Sequence, residues 1–157
     1  MQGSLDIKII EFEEKYLGIM EHKGPMYLLK HSLQRFLTWR NRKLLPPNKF
    51  KTYHLLYSDP LCLISQHHIG IGCDILEPVG PNSFGITERI IPNMQCAQVL
   101  CTGSKEQLTN IIHFVCHHWL PIQNRQLSAH PIFFEQMFLE VNSAHHQQQL
   151  KVYFPLK

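Results

Sequence analysis

Glu135 is the residue whose setting most strongly suggests chemistry. It lies in His130-Pro131-Ile132-Phe133-Phe134-Glu135-Gln136-Met137-Phe138, a carboxylate within an apolar and aromatic run. In an extended strand alternate side chains share a face, so Glu135 would stand with Phe133 and Met137. An unpaired buried carboxylate costs several kcal/mol, so it must be paired, protonated or matched by a cationic ligand. Alternation alone equally permits an edge-strand Glu facing water. Trp39, Tyr53, Tyr57, Phe133 and Phe138 are the aromatic residues that could accompany it. An aromatic face attracts an organic cation by about 0.5–2 kcal/mol and also receives flat apolar rings. Most aromatic residues in any domain are core, and two of these five are expected to touch a ligand. The chemistry indicated is binding by charge neutralisation and stacking, ahead of catalysis.

Other constellations have plainer readings. His113 and His117, four apart on a helix with Cys116 between them, have the spacing of two zinc ligands. They fall opposite the apolar stripe, no Glu follows His113 and no third ligand is placed, so a solvated helix face is preferred and no metal is expected. The pairs His67-His68, His117-His118 and His145-His146 are adjacent, point to different faces and read as surface residues. No Gly-x-Ser-x-Gly is present, and Gly103-Ser104-Lys105 lacks the earlier Gly of a phosphate loop. No catalytic residue and no cofactor are therefore expected. Cys62, Cys73, Cys96, Cys101 and Cys116 are odd in number without Cys-x-x-Cys, which indicates buried, reduced thiols.

The 157 residues fit one domain large enough for a proper core. Charged residues make up 17% and the formal net charge is +3, too mild to imply nucleic acid. The densest basic group, Arg35, Arg40, Arg42, Lys43 and Lys49, gathers at a helix end, where cations suit the dipole; it reads as solvated. No apolar run approaches the ~20 residues of a membrane span and no signal peptide is evident, so no membrane association and a cytoplasmic location are expected.

The elements that must position these residues read as one unit written twice. Residues 6–12 and 16–21 alternate as a hairpin around Glu13-Glu14-Lys15. Gly24-Pro25 opens a helix with Leu29, Leu33, Phe36, Leu37 and Arg40 on its apolar side, ending before Pro46-Pro47. Residues 50–57 form a strand with Tyr53, Leu55 and Tyr57 on one face, and 68–76 another, whose Gly70 and Gly72 allow close backbone approach. After a linker, 86–91 and 94–101 give a second hairpin around Pro92-Asn93. Ser104 caps a helix with Leu108, Ile111, Ile112, Val115 and Trp119 buried, and Pro121 ends it. Residues 132–141 and 148–154 supply the last strands around a polar turn at 142–147. The expectation is an α+β fold of two pseudo-symmetric ββαββ repeats with antiparallel sheets and a central ligand cleft. Repeat one covers about 5–77, the linker about 78–83 and repeat two about 84–157 of a single domain.

With these pieces in order, the chain resembles a GyrI-like small-molecule-binding domain, related to the effector-binding domains of AraC-type and MerR-type regulators. The resemblance runs from about Ile7 to Phe154. It rests on the stretch from Gly18 to Pro25, GIMEHKGP, leading into the helix with Trp39; on Leu55 to Pro60, LLYSDP; and on Pro131 to Phe138, PIFFEQMF. The resemblance implies a cleft for bulky, often cationic and aromatic compounds with an acidic residue at its centre. Glu135 matches that residue, Trp39 and Tyr57 match as cleft aromatics, and Tyr53, Phe133 and Phe138 follow from alternation. Relatives often carry Arg-x-Asp entering the fourth strand, where this chain has His67-His68-Ile69-Gly70. The two units occupy the chain, so no helix-turn-helix and no direct DNA binding are expected.

Three functions follow. The leading one is a stand-alone binding protein for lipophilic cations or planar drug-like compounds, with broad selectivity. The second, implied by the family name, is a protein partner role through contact with DNA gyrase. The third, implied by family members that hydrolyse reactive small molecules, uses Glu135 to direct water with Tyr57 or Tyr53 as proton donor.

Overall fold

The computed structural model describes residues 5–58, 66–102, 104–137 and 149–157. Eight strands form one antiparallel sheet: β1 (Ile7–Phe12), β2 (Lys15–Pro25), β3 (Thr52–Leu56), β4 (Gln66–Asp74), β5 (Thr87–Ile91), β6 (Met94–Thr102), β7 (Ile132–Gln136) and β8 (Gln149–Pro155). Their order is β1-β6-β8-β7-β3-β4-β2-β5. Helix α1 (Leu29–Arg42) lies on β2 and β4, and α2 (Lys105–Phe114) lies on β6. The sheet curls away from the helices into a half-barrel, and the α+β class expected from the sequence is the one observed.

The halves meet differently from the expectation of two sheets and two hairpins. There is a single sheet, continuous through the β3–β7 pair, and neither expected hairpin forms. Instead β1 pairs with β6 and β5 with β2. The register carries across the corner without a slip: Phe12 faces Met94, and Lys15 faces Ile91. The Glu14 N–H donates to Asn93 Oδ1 at 2.7 Å and ties the two corners together. The reason is local. A two-residue hairpin needs positive φ, normally from Gly or Asn, and neither Glu13-Glu14 nor Pro92-Asn93 adopts it. Each corner therefore carries the chain onward into the other half's ladder.

Sequence alternation assigns the faces. On the helix side, Met20, Ile71 and Cys73 pack with Phe36 and Trp39 of α1, and Val99, Val152 and Phe154 pack with Ile111 and Ile112 of α2. Each such large side chain contributes about 1.5–3 kcal/mol when withdrawn from water. The opposite, concave face carries a third cluster of Phe12, Leu17, Ile19, Tyr53, Leu55, Phe133 and Tyr153.

The helices begin and end for visible reasons. Ser104 Oγ accepts the Gln107 N–H at 3.1 Å, and Gln107 Oε1 accepts the Thr102 N–H at 2.8 Å, a reciprocal start for α2. His22 bonds Ser32 of α1 at 2.9 Å and the Pro25 carbonyl at 3.0 Å, fixing α1 to β2 from within the GIMEHKGP stretch. Two residues of α1 depart from expectation. Leu37 is 39% exposed, because Trp39 occupies the buried stripe in its place. Arg40 is buried, as its place on the apolar side of the helix implies, and so does not belong to the solvated basic group in which the sequence also placed it. Its guanidinium donates to the Leu45 and Phe50 carbonyls and to Thr52 Oγ1, closing the loop that delivers the chain to β3.

Among the described residues no helix is long and apolar enough to cross a membrane. The turn expected at 142–147 lies outside the described residues.

Candidate functional site

Glu135 is 6% exposed, on the concave face of β7. It lies opposite Tyr53 of β3 on one side and Lys151 of β8 on the other. Tyr153, two residues along β8, donates its hydroxyl to Glu135 Oε1 at 3.3 Å and accepts from Gln98 Nε2 at 3.2 Å. Lys51 Nζ approaches Glu135 Oε2 to 3.5 Å from the segment leading into β3, with 52% of its side chain still exposed. The carboxylate is thus buried and paired, with a neutral donor beneath it and a half-solvated ammonium above it.

Aromatic rings pack around Glu135, and Tyr53, Phe133 and Tyr153 are 0%, 0% and 4% exposed. Phe133 stacks on Tyr153 with centroids 4.9 Å apart, and Phe12 meets both edge-on at 5.0 and 5.1 Å. Tyr53 stands edge-on to Phe12 at 6.5 Å. Offset and edge-to-face pairs of this kind add about 0.5–1.5 kcal/mol each beyond burial. Burial pushes the Tyr153 phenol up to about 12, with Gln98 opposing and Glu135 reinforcing the shift. Tyr53 is raised further, by burial first and then by Glu135. Both phenols therefore remain protonated near neutral pH, Tyr153 as the donor to Glu135 and Tyr53 as an apolar wall whose buried hydroxyl has no hydrogen-bond partner among the described residues.

A second polar group occupies the rim of the first half. Tyr57 stacks on His68 at 4.3 Å, and the Arg89 guanidinium covers its ring at 4.8 Å. His68 Nε2 lies 3.5 Å from Glu21 Oε2. Burial raises the Tyr57 phenol, Arg89 counters, and Glu21 raises it again. A Cβ on Gly70 would sit 2.7 Å from Ile19 Cδ1 and 2.9 Å from Tyr57 Cε2, so only glycine leaves room for this ring. His68, expected at the surface, is half-buried here.

The sequence-named residues separate into three places. Glu135, Tyr53 and Phe133 come together on the concave face. Tyr57 shares that face but joins the His68–Arg89 rim. Trp39 packs in the layer between α1 and the sheet, its ring over Gly18, where a Cβ would approach to 2.5 Å. It belongs to a different cluster from the Glu135 aromatics because helix periodicity turns position 39 toward β2 and β4. Phe138 lies outside the described residues. Sequence reading missed Tyr153, Phe12, Gln98 and Lys51. Tyr153 had a signal: Leu150, Val152 and Phe154 alternate toward the helices, which leaves Tyr153 facing Glu135. His113 and His117 are exposed on α2 and its continuation, with rings 4.6 Å apart.

A buried carboxylate on a concave aromatic sheet face, outside the helix layer, is the arrangement that comparison with known proteins places in context. The sequence model of the GyrI-like small molecule binding domain matches residues 5–157. The chain belongs to the GyrI-like family. Among curated proteins it is 24% identical over 155 residues to the probable transcriptional regulator YgiV of Escherichia coli, covering 98% of this chain and 97% of YgiV. Among solved structures it resembles the EcmrR C-terminal domain, with a TM-score of 0.72 at 14% identity, 98% of each chain being covered. Against EcmrR in its complex with DNA the TM-score is 0.73 at 14% identity, and the chain spans 57% of that protein's length. SAV2435 bound to tetraphenylphosphonium aligns with a TM-score of 0.52 at 9% identity, over 97% of this chain and 94% of that one. At these identities the structural likenesses establish the GyrI-like fold.

Proposed function

We propose that this GyrI-like domain binds lipophilic or aromatic cations on the concave face, with Glu135 supplying the counter-charge and Phe133, Tyr53 and Tyr153 the apolar and stacking surface. The observation that carries the reading is the placement of Glu135: buried, on the face no helix covers, and among four aromatic rings. A carboxylate retained there in place of a well-packed apolar residue costs stability, which is consistent with a role in binding. That SAV2435 shares the fold and is bound to tetraphenylphosphonium, a delocalised aromatic cation, supports the ligand class. The strand order supports the expected pseudo-twofold: exchanging β1–β4 with β5–β8 turns it into its own reverse, with the axis at the β3–β7 pair beside Glu135. The buried cysteines Cys73, Cys96 and Cys101 are free thiols, which suits a reducing, cytoplasmic setting.

The test is a fluorescence titration with cationic dyes and size-matched neutral analogues on wild type and Glu135→Gln. The reading expects a cation preference in wild type that the substitution removes. Equal affinity for charged and neutral probes, or a preference untouched by Glu135→Gln, contradicts it.

A hydrolase reading has one observation in its favour, a phenol 3.3 Å from a carboxylate. The donor there is Tyr153, not Tyr57 or Tyr53, and with its phenol pushed up to about 12 it is a weak acid at neutral pH. Product formation over time separates turnover from binding, and a pull-down with purified DNA gyrase tests the partner role that the family name implies.

A further inference from the structure

Glu135 is not vacant: Lys51 Nζ lies 3.5 Å from Oε2. The two ends of Lys51 are held very differently. Its backbone N–H donates to Asp74 Oδ2 at 3.1 Å, and its carbonyl accepts the Asp74 N–H at 3.1 Å, so its Cα is fixed beside β4. Its side chain is half exposed, a four-carbon stem that can swing into water at small cost. Asp74, the only other acid this close to Lys51 among the described residues, is engaged with its backbone.

We propose that Lys51 is the resident counter-ion of the cleft, a tethered ammonium that a ligand cation must displace from Glu135, and that this exchange sets the site's selectivity. The inference rests on the cation-binding reading above and deepens it. Without a ligand, Lys51 relieves the cost of an isolated buried carboxylate. With a ligand, Lys51 leaves and recovers the strong hydration of a compact ammonium.

The exchange discriminates between cations. A tethered group acts at an effective concentration of about millimolar for short flexible tethers. A primary ammonium ligand repeats the chemistry of Lys51, loses its own hydration and gains no better contact with Glu135. A delocalised or quaternary cation is weakly hydrated, brings rings to Phe133, Tyr53 and Tyr153, and has a net gain. The resident lysine thereby excludes common amines and admits lipophilic cations.

The experiment titrates tetraphenylphosphonium and a naphthyl-substituted primary amine into wild type, Lys51→Met, Lys51→Arg, Lys151→Met and Glu135→Gln. Lys51→Met is expected to bind tetraphenylphosphonium about tenfold tighter, within reach of a partly buried ion pair, and to bind the amine that wild type refuses. Lys51→Arg, whose guanidinium grips a carboxylate in a bidentate manner, is expected to bind more weakly than wild type. Lys151→Met tests the general field, and its effect should be the smaller. In parallel, acylation of the Lys51 amine by a water-soluble succinimidyl ester, followed by mass spectrometry, should quicken when tetraphenylphosphonium is added and be already fast in unliganded Glu135→Gln.

Equal affinities for Lys51→Met and wild type, with Glu135→Gln still weakening both probes, overturn the exchange and leave the cation site standing. Equal gains from Lys51→Met and Lys151→Met reduce Lys51 to one contributor to a diffuse field and also overturn it. If neither wild type nor Lys51→Met binds tetraphenylphosphonium, the cation site and the exchange fall together. Binding by Lys51→Met alone supports the exchange in its strongest form.

Discussion

Tyr153 and Glu135 sit on adjacent strands, and the tyrosine hydroxyl donates to the carboxylate across 3.3 Å beneath a half-exposed lysine. The phenol is a neutral donor at every pH the protein meets in cells, so it lowers the cost of a buried charge without cancelling it. Tyr153→Phe removes the donor and keeps the stacked ring. It should weaken cation binding about threefold to tenfold in a fluorescence titration, the equivalent of one charge-assisted hydrogen bond of about 1 kcal/mol.

Glu135 itself should trade stability for binding. Glu135→Leu places an apolar side chain among Phe133, Tyr53 and Tyr153 and frees Lys51 to solvent. Chemical denaturation should show a stability equal to wild type or higher by about 1–2 kcal/mol, as for other buried pairs replaced by apolar residues. A loss of more than ~2 kcal/mol would mean that the carboxylate holds the fold together.

Gly70 reserves the space for Tyr57. Gly70→Ala forces its Cβ against Ile19 and Tyr57. It should cost about 1–3 kcal/mol in urea unfolding and displace the Tyr57–His68 stack, visible as a change in the His68 ring signals. Gly80→Ala, where no atom lies within 4 Å of the new methyl, serves as the neutral control.

His54 faces the α2 side, stacked on Phe134 with centroids 4.6 Å apart. Burial lowers its pKa to about 4 from an ordinary 6.5. Burial also lowers His130. A folded-state pKa below the unfolded one means that the unfolded chain binds more protons between the two values. Stability from these groups is therefore complete above about pH 6.5 and is lost as the pH falls toward 4, by about 1–3 kcal/mol for His54. Melting temperatures measured from pH 7 to pH 4 should fall across this window, and His54→Phe should flatten the fall. A pH-independent melting temperature in wild type would contradict the buried, neutral assignment.

Arg40 carries two readings in the sequence, a position on the apolar side of α1 and a member of a basic helix end, and its burial agrees with the first. Its guanidinium is satisfied by two backbone carbonyls and a threonine hydroxyl inside the loop before β3. Arg40→Met leaves those acceptors unpaired and should destabilise by about 3 kcal/mol or more, against ~0.5 kcal/mol or less for Arg35→Met on the same helix.

What the sequence made legible follows from periodicity. Alternation within each strand put Tyr53 with Leu55 on one face of β3 and Glu135 with Phe133 on one face of β7 without a structure, and the Ser104 cap marked the start of α2. Pairing partners were less accessible, because alternation fixes a strand's faces but not its neighbour. The corner at Glu13-Glu14 therefore read as a hairpin although its residues cannot supply the necessary positive φ. Trp39 was misplaced for a related reason: a helix stripe can be phased by Leu37 or by Trp39, and Gly18, 21 residues before Trp39 in the chain, decides in favour of the indole. Lys51 carried no local signal at all, since its meaning depends on β3 and β7 being neighbours.

The central claim is that Glu135 is the point at which a cation meets this domain. The most direct measurement is the side-chain carboxyl carbon resonance of Glu135 during a titration with tetraphenylphosphonium, assigned by comparison with Glu135→Gln. The account predicts that this signal moves saturably, with the dissociation constant found by fluorescence, while the carboxyl signals of exposed Glu11 and Glu88 stay in place. Saturable binding that leaves the Glu135 signal unmoved would contradict it.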